Sequence, residues 1–523
     1  MANDLRQLLE QQVSKCGNHT FLFSEADGRE WTYDEFDVVV NRTANLLLSR
    51  GISKGDVVSL LLPNSAEYIV AYFACWKIGA IAGPVNSLLK PEEIEWVVGN
   101  SEAKLVLTNS AFRDVLCNFV ISEEESTTKS HEETPKKQKV IFYEDVAVAT
   151  EGFADVLAKV ELATNDEAII IYTSGTTGKP KGCLLTHGNL IANAQQIAEW
   201  MSFGRNDRLL TVMPLFHMNA VSVTTMTALF SGGSTVVSPK FSASRFWDII
   251  ENYQITSFGS VATMLSMLLQ SPKSQVPSPK SNKPQSAIRN LQSLRFAMCG
   301  SAPVPAEVLK KFEETFGCLV IEGYGLSEST CRSTFNPPNE TRRPGSCGKP
   351  IGNEMKVFDE TDEEIPDGEL GEIVMRGENI FKAYFKNPDA TKKAFLGGWF
   401  HTGDIGYRDA DGFFYIADRK SDMIIRAGEN IYPREIDDLL YTHPAVAAAA
   451  VIGVPDELYG EEVAAFVVLK DGFSATEIDI IEFCKQHLAD FKCPKTVHFV
   501  ADIPKGPTGK LLKRKLARSL HSA

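Results

Sequence analysis

Short runs that are apolar on both faces recur along this chain, and each is followed by a stretch with helical spacing. "DVVSLLLPN" (56–64) is one, and the chain continues as a helix through "AEYIVAYFACWKIGA". "AKLVLT" (103–108), "EAIIIYTS" (167–174), "RLLTVMP" (208–214), "STVVSP" (234–239), "SLRFAMCG" (293–300) and "CLVIEGYG" (318–325) repeat the pattern. A strand with no polar face must be covered on both sides, and helices that return the chain to a parallel neighbour do this. The expected fold is α/β, with mostly parallel sheets covered by helices. At 523 residues the chain exceeds one core, so roughly two to four domains or subdomains are expected.

Near residue 345 the texture changes. "DEEIPDGELGEIVMRG" and "DADGFFYIADRK" alternate in short strands around Asp/Gly turns, which predicts an antiparallel, barrel-like subdomain over 345–418. Residues 1–420 are thus expected to form the large N-terminal domain, and 421–523 a small α+β domain. Two polar stretches interrupt the pattern, a surface insertion at 122–139 and a Pro/Ser/Lys-rich loop at 271–286.

The net charge of -14 argues against a general nucleic-acid binder, so any polyanion must be gripped locally. The start, "MANDLRQLLEQQVSKCG", lacks the apolar core of a signal peptide, and no apolar run has the length of a membrane span. No stable membrane insertion is expected. The ten cysteines are scattered without a CxxC or clustered His, which disfavours zinc and disulfide frameworks and fits a reducing cytoplasm.

The loop "YTSGTTGKPKG" (172–182) combines glycines that permit close approach, hydroxyls and N–H groups that donate, and lysines that add charge. These are the parts a polyphosphate needs. The string does not fit GxxxxGK[ST], since Gly175-Thr-Thr-Gly178-Lys179 has the wrong spacing and Pro180 follows the lysine, so it is not a Walker loop. A strand is expected to end here and a helix to begin near Thr186. By composition alone, a flexible surface loop accounts for the same residues.

Further strings follow in order: "MPLFHMNA" (213–220), "GSAPVP" (300–305), "EGYGLSEST" (322–330), "GEIVMRGENIFKAYFKNPDAT" (371–391), "WFHTGD" (399–404), "DGFFYIADRKSDMIIRAGENIYPREID" (411–437) and "PKGPTGKLLKRKL" (504–516). Together with the loop they resemble the adenylate-forming superfamily of acyl- and aryl-CoA synthetases, peptide-synthetase adenylation domains and luciferases. The resemblance runs through nearly the whole chain. It implies ATP, Mg2+ and coenzyme A, and a reaction in which a carboxylic acid becomes an acyl-adenylate and then a thioester.

The resemblance also assigns residues. Lys510 enters from the C-terminal domain and bridges the carboxylate and the α-phosphate; read alone, it is a solvated lysine in a basic tail. Glu328, with Thr173, holds the magnesium, and Ser327 keeps a hydroxyl for the α-phosphate where the family usually has Thr. Ser174, Gly175, Thr176, Thr177, Gly178 and Lys181 cradle the phosphates. Asp404 accepts from the ribose hydroxyls with help from Arg419. Tyr324 stacks on adenine, and the backbone at Ser301, Ala302, Glu322 and Gly323 lines the base. His217 is an aromatic gate beside the acid rather than a base, since the attacking carboxylate is already ionised. Gly428 lets pantetheine pass when the C-terminal domain swings about Ser421, a position where relatives carry Asp or Lys.

The acid pocket is expected from 216–223, 258–263, 299–302 and 323–332, where Met218, Val221, Val261, Ala302, Gly325 and Leu326 favour a medium-sized aliphatic or aromatic acid. Arg332 is expected at the surface, with pairing to a second substrate charge as the other reading. "SASRFWDIIENYQIT" and "WFHTGDIGYRDADGFFY" also look like crotonobetaine/carnitine-CoA ligases. A stand-alone acid:CoA ligase of fatty acid metabolism is the expected function, with a homodimer left open. Loading of a carrier protein and a non-catalytic ATP-binding relative are the alternatives. No fused carrier segment accompanies the chain, "FHMNAVSV" offers no Asp for an amino group, and "AGEN" favours CoA.

Overall fold

The apolar strands are gathered into two large sheets in the computed structural model, which describes residues 2–116, 139–173, 180–271, 291–300, 306–420, 422–427, 429–505, 511–513 and 516. One sheet has nine strands, in the order Lys349–Pro350, Thr334–Phe335, Leu319–Tyr324, Phe296–Cys299, Ser257–Ser260, Arg208–Thr211, Ser234–Val237, Thr20–Ser24 and Glu30–Thr32. Its six middle strands are parallel, and antiparallel strands close both edges. The other has seven strands, in the order Ala383–Tyr384, Lys181–Thr186, Glu167–Thr173, Ile81–Pro84, Val57–Leu61, Leu105–Thr108 and Lys139–Phe142.

The helix Ala66–Lys77 explains how the two sheets are joined. Every one of its residues is buried, as its apolar all-round sequence requires. Ser65 caps its start by accepting from the Tyr68 N–H. Tyr68, Tyr72 and Trp76 stack at i, i+4 spacing with ring centroids 5.3 Å apart at each step. Their polar tips are then satisfied at both sheets. Tyr72 Oη donates to the Leu215 carbonyl at 2.7 Å and Trp76 Nε1 to the Ala168 carbonyl at 3.0 Å.

The helix expected near Thr186 is present, but a strand the sequence reading did not separate precedes it: Lys181–Thr186 pairs antiparallel with Glu167–Thr173, Thr173 opposite Lys181. "KGCLLT" is largely buried, at Gly182, Cys183, Leu185 and Thr186, and pairs as a strand before the helix starts. The helix His187–Trp200 begins one strand later, where Thr186 and Asn189 form a reciprocal capping box. Its positive end therefore lies a strand's length, about 20 Å, from the loop. Loop residues 174–179 themselves lie outside the described residues, as do 122–138 and 272–290 of the two polar stretches.

Beyond these sheets the strands pair antiparallel, as the alternation over 345–418 predicts, except that Thr496–Phe499 runs parallel to Gly460–Leu469. Glu354–Phe358, Gly371–Arg376, Trp399–Arg408, Phe395–Leu396 and Phe414–Arg419 form a five-stranded sheet. A last sheet of Glu429–Ile431, Ile424–Arg426, Gly460–Leu469, Val446–Asp456 and Thr496–Phe499 carries the helices Pro433–Tyr441 and Glu477–Lys485. The main apolar core runs from Leu5 to Phe414, and Ile424, Ile431, Ile436, Val451, Val467 and Val497 belong to a separate one.

Candidate active site

Tyr324 ends a central parallel strand, and the carboxyl end of such a strand is where an open α/β sheet leaves a crevice. Asp404 and Arg419 arrive from the antiparallel sheet, directly opposite one another in register. Three side chains then lock together. Tyr324 Oη donates to Asp404 Oδ2 at 2.5 Å, and Arg419 Nε stands 3.1 Å from Asp404 Oδ1. Asp404 is only 3% exposed, so its charge needs both partners. Burial pushes the Tyr324 phenol well above its ordinary range, and the Asp404 charge adds to that. Burial pulls Arg419 down, but Asp404 and the other acidic groups around it, Tyr324, Asp422 and Glu328, together outweigh that and leave the guanidinium raised overall.

A second cluster forms across the hairpin. Glu328 sits in the short 3-10 turn Ser327–Ser329, followed by Thr330 at φ 64°, a conformation unusual for a branched residue. Its backbone carbonyl accepts from Phe381 N–H at 2.7 Å, and its Oε1 accepts from Tyr384 Oη at 2.8 Å. Lys181 lies over the Tyr384 ring, 5.1 Å from the centroid. Burial, then the Glu328 charge, raises the Tyr384 phenol. Thr173, Lys181, Tyr384 and Glu328 are thereby brought together. Tyr384 is a residue the sequence reading passed over, although "KAYFK" lay inside a quoted motif.

The residues offer limited support for a metal. Among the described residues no group of three or more His, Cys, Asp or Glu is arranged around one point. Glu328 Oε2 makes no hydrogen bond to another described residue, and Thr173 brings a hydroxyl from across the hairpin. One carboxylate plus phosphate oxygens and water is how a small hard cation is ordinarily held, so this donor set fits magnesium.

Where the acid is expected, one expectation is overturned: Arg332 is not at the surface but 2% exposed. Among the residues expected there, His217 Nε2, both side-chain amide atoms of Asn219, and Nε and Nη2 of Arg332 are all buried without a hydrogen-bond partner among the described residues. The chain after Tyr324 turns back on itself, with the Ser333 N–H donating to the Tyr324 carbonyl at 2.8 Å, and this folds Arg332 inward. Gly325 is required there, since a Cβ would lie 2.1 Å from the Cys331 carbonyl oxygen. Asn219 begins a buried π-helix, Asn219–Met226, and the hydroxyls of Thr225 within it and Thr227 just beyond it donate to carbonyls five residues back, on Ala220 and Ser222. His217 packs on Phe216 at 4.7 Å, and burial lowers its pKa to about 4, so it is neutral in ordinary buffers.

Glu322, expected to line the base through its backbone, also carries a buried carboxyl. Its Oε2 accepts from the Gly345 N–H at 3.0 Å, and burial raises its pKa to about 7 against the pull of that N–H and of Arg342 and Arg434. Gly323 stays within its strand, where a Cβ would strike the Phe335 ring at 2.4 Å. Ser327 stands one residue from Glu328 in the same turn. Lys510, Ser174, Gly175, Thr176, Thr177, Gly178, Ser301, Ala302, Ser421 and Gly428 lie outside the described residues.

Comparison with known proteins points the same way. The profile of AMP-binding enzymes matches residues 9–385, and that of the AMP-binding enzyme C-terminal domain matches 435–510. The chain is 34% identical to a sulfoacetate–CoA ligase of Cupriavidus necator, covering 98% of this chain and 97% of that one. It is 35% identical to a crotonobetaine/carnitine–CoA ligase of Citrobacter koseri, covering 98% of each. Among solved structures, ATP-bound MatB from Rhodopseudomonas palustris superposes with a TM-score of 0.88 at 30% identity, covering 99% of both chains.

Proposed function

Because the chain belongs to the AMP-binding enzyme family, we propose that these clusters serve an ATP-dependent, AMP-forming acid:CoA ligase. A carboxylate oxygen attacks the α-phosphorus of ATP, the bond to the bridging oxygen breaks, and pyrophosphate leaves. The acyl-adenylate is a mixed anhydride. Its carbonyl is then attacked by the CoA thiolate, and AMP departs with the bonding electron pair, leaving a thioester. Little bond-making falls to the protein, so its task is to position the partners and neutralise charge.

Asp404 accepts from the ribose hydroxyls, with Tyr324 and Arg419 fixing its orientation. Tyr324 also offers its ring to adenine, beside the backbone of Glu322, Gly323, Ser301 and Ala302. Ser174, Gly175, Thr176, Thr177, Gly178 and Lys181 hold the phosphates by N–H, hydroxyl and ammonium groups. Ser327 adds a hydroxyl at the α-phosphate. Magnesium, held by Glu328 and Thr173, supplies charge neutralisation at the phosphates. Lys510 bridges the carboxylate and α-phosphate. His217, neutral and flanked by Phe216, closes the acid side without taking a proton. Gly428 gives pantetheine its passage.

We place the boundary at residue 420, with 345–418 as the β-rich part of the large domain and 421–523 as a lid turning about Ser421. No helix among the described residues is long and apolar enough to cross a membrane, and we place the enzyme in the cytoplasm.

The observation that carries this reading is the buried Tyr324–Asp404–Arg419 lock at the mouth of the sheet, three motif residues remote in sequence meeting at one carboxylate. The test is AMP release over a panel of acids with ATP and magnesium, with and without CoA, and mass detection of the thioester. Acid-dependent AMP that rises with CoA supports the ligase. Acid-dependent AMP indifferent to CoA points to carrier loading, and no AMP with any acid overturns the reading.

A further inference from the structure

Arg332 is the least explained charge in the molecule. Its backbone is held from three directions: Asn193 Oδ1 accepts from its N–H at 3.4 Å, and Asn193 Nδ2 and Asn379 Nδ2 donate to its carbonyl at 2.6 and 3.4 Å. Its guanidinium, by contrast, has only a weak 3.4 Å contact from Nη1 to the Cys331 carbonyl and the Phe335 ring 5.6 Å away. Nε and Nη2 have no partner, and no carboxylate stands within ion-pair distance among the described residues. A guanidinium is a permanent cation with five donors, and burying it unpaired is costly.

Glycines make room for this side chain and for its polar neighbour. A Cβ on Gly300 would lie 2.5 Å from Arg332 Nη2, and one on Gly259 would lie 2.6 Å from Asn219 Oδ1. Gly259 pairs with Met298 across adjacent parallel strands, and Gly300 is two residues beyond Met298, so both glycines present the same face of the sheet. Asn219 has no partner for either amide atom. Side by side over two glycines at the carboxyl ends of neighbouring strands are thus an unpaired cation and an unpaired amide. Asn193 braces both supports, since it also accepts from Ser222 Oγ of the π-helix at 2.8 Å.

We propose that Arg332, assisted by Asn219, receives a second anionic group on the acid, a carboxylate or a sulfonate, and that the substrate is a short dianion rather than a fatty or betaine acid. The inference rests on the ligase reading above. Relatives of nearly equal identity do not decide it, because one is named for an acid with a sulfonate and another for acids with a quaternary ammonium. The unpaired guanidinium does decide, being matched by an anion and opposed by a cation.

The test is pyrophosphate release with acids matched in length: propanoate, malonate, sulfoacetate and trimethylglycine, then butanoate and succinate. Malonate against sulfoacetate separates carboxylate from sulfonate. The protein is expected to prefer a dianion by about 100-fold in kcat/KM over its monoanionic partner, and Arg332→Met to erase that preference. Arg332→Met should also melt no lower than the unmodified protein, and the preferred dianion should raise the melting temperature of the latter alone. Arg332→Lys, which keeps the charge without the fork, should retain part of the preference. Equal use of monoanions and dianions by the unmodified protein overturns the inference while leaving the ligase standing, as does a preference unchanged in both variants. If Arg332→Met raises the ATP requirement equally for every acid, the missing anion is a nucleotide phosphate and the inference is wrong. Silence with all acids is failure of the ligase reading instead.

Discussion

Asp404 and Arg332 are both charged and both buried, at 3% and 2% exposure, yet one is fully engaged by protein and the other is nearly bare. Asp404 meets Tyr324 and Arg419, whereas the guanidinium of Arg332 meets an aromatic face and one long contact. On the reading proposed above, the nucleotide side of the cleft thus carries a charge paired within the protein. The acid side carries one that is braced at its backbone, with two donor atoms unmatched among the described residues. A family that shares one nucleotide and differs in its acids has use for that division: a settled site for the common substrate, and a site whose unmet groups select the variable one.

The strongest way to break this comparison is through neither side. Lys510→Ala should reduce adenylation by about 1000-fold, while thioester formation from a supplied acyl-adenylate stays largely intact. Equal loss of both half-reactions would show that Lys510 does not serve the first alone. Next, Asp404→Ala should raise the KM for ATP by about 10- to 100-fold with little change for CoA, and should lower the melting temperature by stranding Tyr324 and Arg419. Arg332→Met lacks that second effect, so the pair of melting curves distinguishes an engaged charge from a bare one. An unchanged ATP dependence in Asp404→Ala removes it from the ribose site.

Glu322 supplies a milder test on the nucleotide side. Its pKa of about 7 lies above the ordinary 4.5, so the folded protein holds a proton that the unfolded chain releases between those values. The stability this contributes is present at low pH and is lost as pH rises toward and past 7. Glu322→Gln should therefore gain melting temperature relative to the unmodified protein on going from about pH 5 to about pH 8. A constant difference across that range contradicts the assignment. The smallest effect expected is from Tyr384→Phe, about 2- to 10-fold in kcat/KM and chiefly at low magnesium, because Glu328 loses one donor and keeps its carboxylate. A loss independent of magnesium would leave Tyr384 as a packing residue.

How much of this was legible in the chain differs between the same two regions. The parallel strands declared themselves because burial on both faces leaves no polar alternation, and Tyr324, Asp404 and Arg419 stood inside strings that resemblance could read. The strand end near Thr173 and the helix start near Thr186 were legible, but the strand Lys181–Thr186 before that helix was not. "KGCLLT" is a short strand whose identity depends on pairing with Glu167–Thr173, a partner that local pattern does not reveal. Arg332 was expected at the surface because arginines usually are, and no periodicity announces a chain that folds back over Gly325. Asn219 and Tyr384 were hidden for a related reason. Their importance lies in which of their atoms find partners, and only three-dimensional contact decides that.

The account depends most directly on acid-dependent exchange of labelled pyrophosphate into ATP, measured with magnesium and without CoA. Exchange that appears only when a suitable carboxylic acid is supplied, and vanishes in Lys510→Ala, is the predicted result. A purified, folded protein that shows no exchange with any acid, the short dianions included, contradicts the account at its root.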